Sequence, residues 1–249
     1  MLQPVWESCK YKMGKRIIQQ RRGRGTTPYR AKSKAFRYKL GYPRNLTGKG
    51  EVKKIINSPA HTAPIAKIVA KNKNNEVVSF YVPASKGMYE EQKLDFDSNE
   101  VEKGKIMQLK DLPVKTQIYC IESTPGNGGT LIRAGGQYAT VTKFIGDSAV
   151  VTLPSKKQRR FNSKSRAVVG VIAGHGRLEK PVVKAGKKYK MMKARNKLWP
   201  RTGALKMNAV DHPLGSGRGK NPKSKIAKRN ASPGKKVGLI RPKRTGKRK

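Results

Sequence analysis

The chain is 249 residues long and carries 58 Lys+Arg against 14 Asp+Glu, a formal net charge of +44 at pH 7. Self-repulsion on that scale works against a free-standing globule and requires a polyanionic partner. Nucleic acid fits, because neutralising phosphates releases condensed counterions and drives binding, whereas no lipidation motif or long amphipathic helix speaks for an anionic membrane surface.

The charge is unevenly spread. Residues 1–48 hold 13 Lys+Arg and a single acid, Glu7, so this segment reads as a basic N-terminal arm of net charge +12. Its first stretch, MLQPVWESCKYK (1–12), lacks the apolar core of a signal peptide. QQRRGRGTTPYRAKSKAFR (19–37) mixes Arg, Gly and single aromatics without strand alternation. High charge and low hydrophobicity alone predict disorder there. Aromatic and Arg planes that stack on bases, and Gly that lets backbone approach phosphate, predict folding upon RNA.

The centre, 49–185, reads as β. IAKIVA (65–70) and VVSFYV (77–82) are strands joined by KNKNNE, whose Asn pair suits a turn. EEQKLDFDSNEVE (90–102) holds six of the fourteen acids and reads as a solvated loop, with contact to a basic protein as the alternative. Pro113 in KDLPVK marks a seam between two β units, 49–110 and 111–185. TQIYCIE (116–122) is a strand followed by the loop PGNGG. QYATVTKFI (137–145) and SAVVTL (148–153) flank Gly146-Asp147, a hairpin signature of the type II′ class. AVVGVIAG (167–174) predicts a last buried strand, far too short to cross a bilayer. Short strands punctuated by turns predict an all-β protein of small barrels or sandwiches.

Residues 186–249 form a basic C-terminal arm with 22 Lys+Arg and one acid, Asp211, a net charge of +21. Only GKKYKMMKARNK (186–197) predicts a helix, short and cationic. MNAVDHPLGSGRGKN (207–221) sets Asp211 beside His212, then glycines among cations. It is not a nucleotide-binding phosphate loop: a pattern ending at Gly219-Lys220 puts Leu214 at the first glycine and Asn221 after the lysine. Neighbouring side chains point apart in regular structure, so Asp211 is a poor orienter for His212. Asp211 is expected to cap or turn the backbone, His212 to hydrogen-bond or stack on RNA, and Arg218 and Lys220 to approach phosphate. His61 and His175 are isolated, and Cys9 and Cys120 lack metal-ligand or disulfide spacing. Neither a catalytic centre nor a metal site is expected, and cysteine usage suits a reducing, cytosolic compartment.

Six collinear stretches carry a family resemblance from Met13 onward: MGKRIIQQRRGRG (13–25), SPAHTAPIAKI (58–68), GGQYATV (135–141), SRAVVGVIAGHGRLEKPVVKAG (165–186), WPRTGALKMNAVDHPLGSG (199–217) and SPGKKVGLIRPKRTG (232–246). They resemble the universal large-subunit ribosomal protein of the L-two family, archaeal/eukaryotic type. The resemblance implies an OB-fold barrel followed by an SH3-like barrel, with both arms buried in large-subunit rRNA. It implies a structural rather than enzymatic role, contacts with neighbouring ribosomal proteins and the small subunit, and support of the tRNA-binding and peptidyl-transferase region. No cofactor is expected, Mg2+ entering only as an rRNA counterion, and no small-molecule substrate or membrane contact. Met207, Asn208, Asp211, His212, Pro213, Gly215 and Gly217 match the family's loop, whereas Leu214, Ser216 and Ala209 depart from it. Residues 1–12 have no counterpart in the resemblance.

The candidate RNA-binding residues are therefore Lys15, Arg16, Arg21, Arg22, Arg24, Arg30 and Arg37 in the N-terminal arm. In the C-terminal arm they are Lys187, Lys188, Lys190, Lys193, Arg195, Lys197, Trp199, Arg201, Asn208, His212, Arg218, Lys220, Lys235, Lys236, Arg241 and Arg244. Two rival readings stand beside the cytoplasmic ribosomal one: an RNA-dependent enzyme with His212 as base, and a DNA-compacting protein.

Overall fold

The computed structural model describes residues 14–72, 74–215 and 226–241. The chain divides into two compact units, Ala31–Arg195 and the pair of segments Met1–Arg30 and Asn196–Lys249. Two helices, α1 (Ile18–Gly23) and α2 (Ala185–Ala194), fall one in each, α2 with the larger unit.

The larger unit is built on two antiparallel sheets. In the first, β1 (Leu46–Ile56), β2 (Ile65–Asn72), β3 (Val77–Pro83) and β4 (Lys93–Asp95) lie in the order β3-β2-β1-β4. In the second, β5 (Ile106–Gln108), β6 (Gln117–Tyr119), β7 (Ala139–Ile145), β8 (Ser148–Thr152), β9 (Gln158–Asn162) and β10 (Arg166–Val169) lie in the order β5-β10-β6-β7-β8-β9. The protein is thus mostly β, as its turn-punctuated strands predict. Among the described residues neither sheet closes on itself through strand pairing. The strands β4 and β5 at two of the sheet edges are three residues each, too short to carry a closing ladder.

Alternation explains the strands that the sequence announces. In β2, Ala66, Ile68 and Ala70 point inward, and in β3 Phe80 and Val82 do, so that each strand has one dry face. Gly146, at φ 52°, takes the positive φ that the first position of a type II′ turn demands, and Ile145 pairs with Ser148 across it. The predicted strand 167–174 is shorter. Pairing stops at Val169, Gly170 turns at φ 114°, and Ile172 is buried beyond it through an isolated bridge to Ser85.

In the two sheets of the larger unit, four strands escape the sequence reading: β1, β4, β5 and β9. In β1 the alternation is broken by two register shifts, between Thr47 and Gly50 and between Val52 and Lys54. A Cβ on Gly50 would lie 2.6 Å from the Phe96 ring, so glycine here admits a core aromatic. The acidic stretch keeps Glu90, Glu91, Asp97, Glu100 and Glu102 in solvent, as expected, but it is also tied down. It contains β4 with Leu94 fully buried, Glu90 accepts the Ile55 N–H at 2.8 Å, and Asp97 accepts the Gly48 N–H at 2.6 Å. Lys105, itself buried, reaches back to donate to the Ser98 carbonyl and hydroxyl and to the Glu100 carbonyl.

One apolar cluster draws on both sheets, with Val52, Ile68, Phe80 and Leu94 from the first and Ile106, Tyr119 and Val168 from the second. The Tyr119 hydroxyl donates to the Pro83 carbonyl at 3.0 Å across that seam. A second cluster, including Leu109, Ile118, Val141, Val151 and Phe161, fills the six-stranded sheet. Because β5 pairs with β10, the second sheet begins ahead of the seam read at Pro113.

Candidate nucleic-acid interface

Among the described residues, the smaller unit is held together by backbone and amide hydrogen bonds more than by apolar packing. Ile17 is buried just before α1, and its N–H donates to the Gln20 side chain at 3.2 Å. A Cβ on Gly234 would meet that same Gln20 amide at 2.7 Å, so the 232–235 turn closes on α1 through glycine at φ 88°. Asn196, at φ 51°, donates its side-chain amide to the Tyr29 carbonyl and accepts from Arg22 through its own carbonyl at 3.4 Å.

The loop 207–215 is a knot of local bonds. The Asn208 side chain accepts the Val210 N–H at 3.1 Å, and its carbonyl accepts those of Asp211 and His212. His212 Nδ1 accepts the Leu214 N–H at 3.1 Å, so the neutral ring carries its proton on Nε2. Gly215 is required by close approach: a Cβ there would lie 2.5 Å from the Asn208 carbonyl oxygen. Asp211, expected to make the turn, instead faces Lys15 at 4.0 Å in solvent, and Asn208 and His212 make it. Among the described residues Asp211 and His212 share no hydrogen bond, which leaves the acid no hold on the ring. A cavity of about 630 Å³, lined among others by Lys15, Arg16, His212 and Lys235, opens on one side of the ring, and one of about 340 Å³, lined by Leu198, Arg201 and Met207, on another.

Most of the predicted cations that the structure describes are exposed. Lys15, Arg16, Arg21, Arg24, Arg30, Lys197, Arg201, Lys235, Lys236 and Arg241 are exposed in the smaller unit, with Arg22, Trp199 and His212 half-buried and Asn208 exposed. In the larger unit Arg37, Lys187, Lys188, Lys190 and Lys193 are exposed and Arg195 is half-buried. Arg218, Lys220 and Arg244, with the expected glycine turns at 216–220, lie outside the described residues, as does the extension 1–12.

Helix α2 shows the electrostatic problem at short range. It has no side-chain cap, no acid in its first turn and no buried residue. Lys187 and Lys188 sit near its positive end, and Lys187–Lys190 and Lys190–Lys193 are like charges one turn apart, both unfavourable in isolation. The Tyr189 ring, 5.8 Å from the Lys193 ammonium, offsets only part of this. The sheets add cations that sequence reasoning did not single out: Lys54 stands opposite Lys67, and Lys143 and Arg160 flank Val150, placements that appear only once strand register is known.

No group of three or more His, Cys, Asp or Glu able to hold a metal occurs among the described residues. No helix of the described residues is long and apolar enough to cross a membrane. His61 Nδ1 lies 2.8 Å from the Ser58 hydroxyl, and burial, then the nearby Arg133 and Arg195, lower its pKa. That pair anchors the loop, Ser58 also donating to the Ala35 carbonyl at 3.3 Å.

Sheets that bury their own cores beneath a densely cationic surface define a mostly β, strongly basic protein. The family model of ribosomal proteins L2, C-terminal domain, matches residues 102–234. The large ribosomal subunit protein uL2 of Methanothermobacter thermautotrophicus is 41% identical over 244 residues, which cover 95% of this chain and 100% of that protein. Its counterpart from Hyperthermus butylicus is 40% identical over 242 residues, with 95% and 100% covered. The chain belongs to the uL2 family of large ribosomal subunit proteins.

Proposed function

We propose that the protein is a structural constituent of the large ribosomal subunit that binds large-subunit rRNA through its arms and sheets and has no catalytic chemistry of its own. The observation that carries this is likeness to archaeal uL2 proteins along 95% of the chain, joined to a net charge of +44 that the fold alone leaves unneutralised. The two sheets act as an OB-like and an SH3-like body that grip rRNA from outside, while the arms fill between rRNA helices. Neighbouring ribosomal proteins and the small subunit are the protein partners, Mg2+ serves only as rRNA counterion, and the compartment is the cytoplasm. The 207–215 knot packs near the tRNA-binding and peptidyl-transferase region. A histidine whose Nδ1 is already bonded to backbone supports a packing role there rather than a general base.

Binding to a large-subunit rRNA fragment, titrated with KCl, tests the reading. If roughly ten phosphates are contacted, log affinity should fall against log salt with a slope of about −7 to −9, and duplex DNA should compete poorly. A nearly flat salt dependence, or ready displacement by duplex DNA, contradicts it.

A further inference from the structure

We propose that the outer face of the four-stranded sheet is a distinct RNA contact, which takes unpaired nucleotides by stacking a base on the Tyr38–Tyr81 pair while Lys67 and Lys54 hold the flanking phosphates. The proposal rests on the rRNA-binding reading and adds to it a site outside the arm loops.

Register builds the site. Phe80 and Val82 of β3, Ala66 and Ile68 of β2 and Val52 of β1 face the core. Alternation therefore sends Tyr81 and Lys67 to the other face. The bulge after Val52 moves β1 by one residue, so that Lys54 stands opposite Lys67, which stands opposite Tyr81. Strands lie about 4.8 Å apart, which sets the two lysine backbones roughly 5 and 10 Å from Tyr81. On the far side of Tyr81 the chain returns along the sheet edge. Leu40 and Gly41 bridge to Tyr81, and the Gly41 N–H donates to its carbonyl at 2.9 Å. That return lays the Tyr38 ring 5.0 Å from the Tyr81 ring, tilted by 52°, with the Arg37 guanidinium 5.9 Å from the Tyr38 centroid. One row thus reads Lys54, Lys67, Tyr81, Tyr38, Arg37.

The lysine end of this row costs the fold rather than helping it. Lysines directly opposite on neighbouring strands repel, and among the described residues neither Lys54 nor Lys67 has a carboxylate within 4.0 Å. Glu51, the acid of β1, is committed to Lys53 at 2.7 Å. Tyr38 and Tyr81 are only half-buried and leave ring surface open. Phosphates would quiet the lysines, and base faces would cover the rings. A duplex keeps its base faces stacked internally, so the occupant is an unpaired segment.

The test uses the full chain and a 4-thiouridine-substituted single-stranded RNA 12-mer at raised salt, where arm electrostatics are weakened. Photocrosslinks mapped by mass spectrometry on the unaltered chain should fall on Tyr38 or Tyr81. Tyr38→Leu, at a half-buried position, and Tyr81→Leu should each weaken binding about five- to hundredfold, the range of losing one aromatic–base stack. Lys54→Gln with Lys67→Gln should flatten the log–log salt slope by about 1.4. Unchanged thermal melting separates these losses from misfolding. Crosslinks confined to the arms, equal competition by a duplex, or variants that bind as the parent does would overturn the proposal. Incorporation into the large subunit reads out separately: variants that fail only the 12-mer test leave the ribosomal reading intact, and a parent chain absent from the subunit fails that reading instead.

Discussion

Glu122 is a fully buried carboxylate that accepts four hydrogen bonds, from the backbone N–H groups of Gly126, Gly128 and Arg166 and from the Arg166 guanidinium, at 2.9–3.1 Å. The same guanidinium carbon lies 5.0 Å over the Tyr42 ring, and the Tyr42 hydroxyl donates to the Cys120 and Arg166 carbonyls. One acid thus folds the 123–129 loop and ties it to β10. Burial pushes its pKa up, but the bonds from the Arg166 amide and guanidinium and from Gly126 outweigh that, and the net shift is downward. A depressed folded pKa gives stability that is full above the ordinary carboxylate value of about 4.3 and is lost as pH falls through the folded value. Glu122→Gln should cost about 3–5 kcal/mol in urea unfolding at neutral pH, because it strands buried donors, and should shrink the acid limb of the stability profile. A variant as stable as its parent would show that the loop holds without the charge. In the sequence this residue was legible only as the end of a strand. Its donors come from 44 residues away and from glycine amides that carry no side-chain signal. Asp211 and His212 went the other way: adjacency drew the eye, and the folded loop assigns the turn to Asn208 and the ring.

At the scale of elements, legibility followed periodicity. The strands β2, β3, β7 and β8 could be read because alternation and an Asn or Gly turn agree in each. Strand β1 could not, because its bulges and its lysines and glycines break the period although it is central to its sheet. The acidic stretch was read only in part, for a related reason. Its charges mark a surface, yet Leu94 and the buried Lys105 fasten it down. Lys105→Met should leave the Ser98 and Glu100 acceptors without their donor at about 1–3 kcal/mol each where they are buried. It should also raise amide exchange across 97–104 before global unfolding. Exchange unchanged from the parent would mean that the lysine is incidental to the loop. Helix α2, anticipated as a short cationic helix, has neither a side-chain cap nor an acid in its first turn, a deficit that a bound anion would offset.

Across the whole molecule, charge was the most readable property and the strand order of the two open sheets the least. Counting acids divides the sequence at 48 and 186, whereas the larger compact unit runs from Ala31 to Arg195 and takes in residues from both basic segments. The open pairing of the two sheets depends on edge strands of three residues, below what a pattern can resolve. Assembly into the large subunit is tested most directly by sedimentation of a cell lysate through sucrose at moderate and at high salt, with this protein followed across the gradient. An integral rRNA scaffold predicts co-migration with the large subunit that persists well into high salt. Recovery at the top of the gradient, or with DNA, would contradict it.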